Sequence, residues 1–265
     1  MRWSKPISWV CSVLALMFVI YTLGSSNHSF STLKVNYSVS WISGFGFFLF
    51  FGLNHTLDAL VWKSILNKEQ IQISTKKALI MNWKSLLFSI VTPNRIGEIF
   101  KRRMLMPHVD PKLTYRLASV HYVFKPITFV LLFLLSWIFL YDYTYGIWCL
   151  MFSVCFLVFV RSIYSKLIFL NSLRVLSYCM QHLFLLGLIS ITINEIGFLH
   201  IVHIHSSGAL IPHVFGTEIF MKSALFKFLN PHWVNWHLFT LSLTLLWLSN
   251  IAIPAFVSLM FKSND

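Results

Sequence analysis

Charge is what this sequence has least of. Only 11% of its 265 residues are Asp, Glu, Lys or Arg, against 57% hydrophobic, and the mean hydropathy is +0.72. A soluble domain keeps about 25% of its residues charged to wet its surface. A soluble enzyme or binding domain is therefore excluded, and the solvent of this chain is lipid. Acids are scarcer than bases: 8 Asp plus Glu stand against 21 Lys plus Arg, a net charge of +13. In a soluble chain that surplus points to nucleic acid. In an apolar chain it marks basic loops held on the cytoplasmic side, facing anionic lipid, and nucleic acid drops out as a partner. The cysteines (Cys11, Cys149, Cys155, Cys179) sit inside apolar runs without CxxC spacing, which removes a disulfide framework and a thiolate metal site. No P-loop, GxGxxG or Ser-His-Asp spacing is visible, so no cofactor is implied.

What is present is a series of long apolar runs. The length leaves room for about six to eight spans of about 20 residues, and none for a soluble catalytic domain beside them. Runs at 7–23, 39–62, 117–140, 146–160, 173–193 and 237–261 are read as six full spans. They make an all-α polytopic integral membrane protein with one transmembrane domain, 1–265, in the cytoplasmic membrane, both termini facing the cytoplasm. The run 78–92 does not fit that series. It is short for a crossing, contains Lys84 and ends at Pro93. If it crossed, Arg95, Lys101, Arg102, Arg103, Lys112 and Arg116 would all lie outside, against the positive-inside rule. It is therefore read as a dip that returns to the side it left, a re-entrant unit at about 78–116. A second dip, entering from outside, is read at about 207–230, where an apolar stretch is broken by Pro212, Gly216, Glu218 and Lys222. Under this topology 146–160 and 173–193 flank an inner loop holding Arg161, Lys166 and Arg174, and 194–206 is an outer loop.

The two dips share a pattern. Pro93, Arg95, Gly97 and Glu98 are followed by Lys101 and Arg102; Pro212, Gly216 and Glu218 are followed by Lys222. Each unit has Pro, three residues, Gly, then Glu directly or one residue later, with a base four residues after the Glu. Repeated units entering from opposite faces mark an inverted-repeat transporter. Proline breaks the helix, and unpaired backbone at membrane depth is tolerated only inside protein or beside a wet cavity. A helix restarting there offers its N-terminus to an anion such as lipid phosphate. Glycine allows backbone or ligand to come close. A carboxylate at that depth is costly unless paired, which makes it a functional candidate. The bland alternative is a wet i,i+4 pair, Glu98 with Arg102 or Glu218 with Lys222, contributing only ~0.2–0.5 kcal/mol.

These residues also carry a resemblance. The stretch 92–104 (TPNRIGEIFKRRM) resembles the Pro-Gly-Arg-x-Gly-Glu signature of the lysylphosphatidylglycerol synthase transmembrane region, a flippase-like membrane family. The stretches 211–225 and 242–255 resemble that family's second conserved part more loosely, and the resemblance runs from about 47 onward. It implies a polytopic protein associated with phospholipid translocation, with Pro93, Arg95, Gly97, Glu98, Pro212, Gly216 and Glu218 as site positions. Asn94 stands where the family commonly has Gly. The span after the first motif has His121 and Lys125 but no acid, so no charge pair is expected within it. The aminoacyl-transferase domain of the bifunctional members has no counterpart here, which excludes lipid lysylation by this polypeptide.

The expected function is therefore binding and transbilayer movement of an anionic phospholipid or lipid-linked substrate. Arg95 would hold the head-group phosphate, Lys101 and Arg102 would recruit it, and Glu98 and Glu218 would pair with these bases. A membrane transferase using Glu98, or a non-transporting subunit bound to a lipid-modifying enzyme, are the rival readings. His200, His203 and His205, with His213, lack acids or Cys at ligand spacing and are read as loop histidines at the membrane surface, not as a metal site. Depth places Asp58, near His55, close to the inner interface; a buried polar pair or a proton carrier are its other readings. The tryptophans and tyrosines, near span ends, read as interfacial anchors.

Overall fold

A computed structural model describes residues 37–90, 92, 96–140, 143–189, 198–210, 217–229 and 236–261. The described residues are almost wholly helical, with no strand among them. In chain order the helices are α1 Tyr37–Lys68, α2 Thr75–Ile90, α3 Gly97–Met104, α4 Pro111–Leu140, α5 Tyr143–Leu188, α6 Phe198–Leu210 and α7 Thr217–Leu229. The last rod begins as α8 Trp236–Trp247, widens into a π-helical turn at Leu248–Ala252, and resumes as α9 Ile253–Val257. Among the described residues three stretches are long and apolar enough to cross a membrane: Trp41–Lys68, Pro111–Trp137 and Leu238–Met260. Helix is the form that such sequences must take in lipid, because it satisfies every backbone group within the segment. The first expected span, 7–23, lies outside the described residues.

The chain breaks where the first motif predicts. α2 and α3 pack side by side, and Thr92 staples the break between them. Its hydroxyl donates to the Phe88 carbonyl at 2.7 Å and accepts from the Gly97 N–H at 2.8 Å. A Cβ on Gly97 would overlap the Phe88 carbonyl oxygen and come within 2.6 Å of Thr92 Oγ1. The glycine therefore serves close approach of backbone to backbone. α6 and α7 form a second packed pair, separated by 211–216, where the second Pro-x3-Gly pattern lies.

Two expectations are corrected. The inner loop between 160 and 173 is not formed: α5 runs unbroken for 46 residues through Arg161, Lys166 and Arg174. At 1.5 Å per residue it is about 69 Å long, twice a hydrocarbon core of about 30 Å. The physical reason is that no glycine or proline occurs between Gly146 and Gly187, and Lys and Arg are good helix formers. The outer loop at 194–206 is likewise replaced, from Phe198 onward, by α6, in which Ile201, Val202, His203, Ile204, His205 and Ser206 are all buried.

Two cores hold these helices. One gathers Trp62, Ile65, Met81, Leu117 and Leu167 from α1, α2, α4 and α5. The other gathers Val175, Leu186, Ile201, Phe226 and Phe239 from α5, α6, α7 and α8. Each core encloses a polar centre.

Candidate functional site

The first centre is assembled by spacing of four along separate helices, which puts side chains on one helical face. Asn54, Asp58 and Trp62 share a face of α1, Glu98 and Arg102 a face of α3, and His121 and Lys125 a face of α4; Arg174 comes from α5. Glu98 and Arg102 keep only 4% and 2% of their surface, which rules out the wet i,i+4 pair. Their mutual distance is 3.9 Å, and Glu98 Oε2 is nearer to the ammonium of Lys125, which donates to it at 3.2 Å. Asp58 takes the second set of partners. Arg174 Nη1 donates to Asp58 Oδ1 at 3.2 Å, and Asn82 Nδ2 donates to Oδ2 at 3.0 Å. His121 Nε2 lies 3.3 Å from Asp58 Oδ1 and 3.4 Å from Arg102 Nη2, joining the two sets. Asp58, Lys125 and Arg174 each keep 17% or less of their side-chain surface. The Arg102 guanidinium stacks on the Trp62 ring, Cζ at 4.4 Å from its centroid.

Charges removed from water must be paired to be tolerated, and here two carboxylates are gathered with three cations. Lys125 lies near the middle of the candidate span Pro111–Trp137, the depth at which a polar group is most expensive. Chemically the described part of the centre is a buried cluster of three cations braced by two carboxylates, a charge balance suited to an anion.

The expected residues divide. Glu98 and Arg102 are brought to this centre, whereas Gly97 closes the α2–α3 break against Phe88 and Thr92. Lys101 is not brought to the centre, since its ammonium sits over the Phe88 ring at 4.9 Å on the α2 side. Pro93, Arg95, Pro212 and Gly216 lie outside the described residues, and so does the side chain of Glu218. Lys222 is buried on α7, over the Tyr178 ring at 5.7 Å, in the second centre. The missing acid of α4 is supplied by its neighbours: Glu98 comes from α3 and Asp58 from α1. Asp58 does not pair with His55, whose Nδ1 accepts instead from Trp83 Nε1 at 3.2 Å. Trp62 is fully buried, not an interfacial anchor.

The second centre was not foreseen. His182 of α5 lies with its Nδ1 2.7 Å from His205 Nε2 on α6 and its Nε2 2.7 Å from Ser242 Oγ on α8. His203 stands 3.1 Å from Ser136 Oγ. His203 and His205 are thus interior helix residues, correcting the loop reading, because each imidazole found a partner that makes burial tolerable. Among the described residues no group of three or more His, Cys, Asp or Glu side chains could hold a metal ion. An amide ladder lies beside this centre: Asn54 Nδ2 donates to Asn250 Oδ1 at 2.8 Å, and Asn250 Nδ2 to Gln181 Oε1 at 3.0 Å. Asn250 sits in the π-helical turn, a distortion frequent at functional sites. Arg174 and His182 are the residues that sequence reasoning undervalued; the signal was their polarity, with Ser177 and Gln181 between them, in a largely apolar run.

Compared with protein-family models, curated proteins and solved structures, the chain matches none.

Proposed function

We propose that this protein binds an anionic phospholipid or lipid-linked substrate by its head group and moves it between the leaflets of the cytoplasmic membrane. The observation that carries the reading is the buried centre of Asp58, Glu98, Arg102, Lys125 and Arg174, set among described residues that include three helices able to cross a membrane. Intramembrane charges mark substrate paths. The two helix pairs, α2 with α3 and α6 with α7, each with a Pro-x3-Gly pattern in the sequence where its members join, act as the gates of an inverted repeat. Arg95, at the first break, receives the phosphate, and Arg102 holds it deeper. The resemblance of 92–104 to the flippase-like family supports the same reading from the residues alone.

The test is leaflet exchange of a fluorescent anionic phospholipid in vesicles carrying the purified chain. Movement above protein-free vesicles is expected. Arg174→Gln and Arg95→Ala should each slow it about tenfold or more, since a charge-assisted contact contributes about 1.5–3 kcal/mol. Lipid capture without movement would replace the carrier with a non-transporting binding subunit. Chemical turnover of the lipid would replace it with a transferase.

A further inference from the structure

The charge count of the first centre narrows the ligand. Among the described residues it holds two carboxylates, Asp58 and Glu98, and three cations, Arg102, Lys125 and Arg174, with His121 taken as the neutral imidazole. One positive charge is in surplus. The distances say which. Arg174 closes on Asp58 at 3.2 Å and Lys125 on Glu98 at 3.2 Å, whereas Arg102 stands 3.9 Å from a carboxylate already engaged.

A second, independent observation falls on the same corner. Arg102 Nε, Trp62 Nε1 and His121 Nδ1 are buried polar atoms without a hydrogen-bond partner among the described residues. Arg102 and His121 are each 2% exposed, and Trp62 is fully buried. The three side chains touch one another: Arg102 lies on the Trp62 ring, the Trp62 and His121 ring centroids are 5.8 Å apart, and Arg102 Nη2 is 3.4 Å from His121 Nε2. The indole face stabilises the guanidinium only partly, since a cation–π contact does not neutralise a buried charge. A guanidinium presents its donors as a flat fork that fits two phosphate oxygens at once.

We propose that the ligand is a lipid whose only charge is one phosphodiester, held by Arg102 with Trp62 and His121 beside it. This rests on the lipid-binding reading above and specifies its substrate class. A phosphodiester monoanion balances the one-charge surplus counted among the described residues. A phosphomonoester, at about −1.5 to −2 near neutral pH, overshoots it. A zwitterionic head group leaves the surplus cation uncompensated. The corner is closed in the structure, so the ligand enters with the short helix α3 drawn off Trp62, and its own charge then takes the place of the indole face.

The experiment compares three fluorescent lipids of equal chain length in phosphatidylcholine vesicles containing the full chain at pH 8. They are phosphatidylglycerol (one phosphodiester charge), phosphatidate (a phosphomonoester) and phosphatidylethanolamine (a zwitterion). Phosphatidylglycerol should cross at least about tenfold faster than either of the others. Glu98→Gln adds a surplus charge and should turn the preference toward phosphatidate; Lys125→Gln removes one and should turn it toward the zwitterion. Equal or faster movement of phosphatidate or phosphatidylethanolamine by the unaltered protein overturns the monoanion assignment and leaves the lipid carrier standing. No movement of any of the three overturns both readings. Uptake of soluble dimethyl phosphate without lipid movement would assign the corner to a free anion and also remove the lipid.

Discussion

Replacing Glu98 by glutamine separates a structural charge pair from a decorative one. The carboxylate is 4% exposed, accepts from Lys125 at 3.2 Å, and lies 3.9 Å from Arg102. Glutamine keeps the shape and one acceptor but removes the charge, so two cations lose their shared counterion at once. Breaking a buried pair by deleting one partner costs about 3–5 kcal/mol, because the remaining charge stays buried without compensation. A solvated pair in the same i,i+4 spacing would cost under ~1 kcal/mol. Equilibrium unfolding in mixed detergent micelles, followed by tryptophan fluorescence, resolves that difference. The double variant Glu98→Gln with Lys125→Met tests the partner. It returns the centre to one acid and two cations, the original net charge, and should recover about 1–3 kcal/mol relative to the sum of the single losses. A single-variant loss within error of zero would refute the burial argument. Additive losses in the double variant would refute the pairing with Lys125.

Gly97→Ala should destabilise the α2–α3 pair by about 2 kcal/mol or more, since its methyl group meets the Phe88 carbonyl, and faster protease cleavage near residue 95 checks it. Thr92→Val, which removes the two hydrogen bonds that staple the same break, should cost about 1–3 kcal/mol in the unfolding assay. His182→Phe leaves His205 and Ser242 without that partner and should lower the unfolding free energy by about 1–3 kcal/mol, without changing leaflet orientation. Cysteines placed at Lys76 and Lys101 should be labelled by an impermeant reagent from the same, cytoplasmic side, and labelling of Lys101→Cys from outside only would sink the re-entrant hairpin.

The membrane class and the first helix break were legible because each depends on local composition: apolar runs too long for water, and Pro-x3-Gly where the chain must turn. Glu98 and Arg102 were legible as candidates for the same reason. Their partners were not. Lys125 and Arg174 lie 27 and 76 residues from Glu98 and 23 and 72 from Arg102, and nothing in a single sequence states which helices meet. His121 and Lys125 looked like a span without an acid because pairing was sought within one helix. The run 143–188 misled in the opposite way. Arg161, Lys166 and Arg174 look like loop charges by the rules of crossing segments, yet a helix can carry them if each finds protein or water. The alternation in FLHIVHIH resembles a surface loop until the imidazoles are seen to have buried partners.

The long helix α5 has a mechanical consequence. It carries Arg174 against Asp58 in one centre and His182 against His205 and Ser242 in the other. The two side chains are eight residues apart, about 12 Å along the axis and about 80° around it. No glycine or proline between Gly146 and Gly187 interrupts the helix, so a rotation of this stretch about its axis would carry both side chains together, like two lobes on a camshaft. A rotation large enough to lift Arg174 off Asp58 also swings His182 away from Ser242. Lesions at Asp58 and at Ser242, on different helices, should therefore interact in a double-mutant cycle as though they were neighbours.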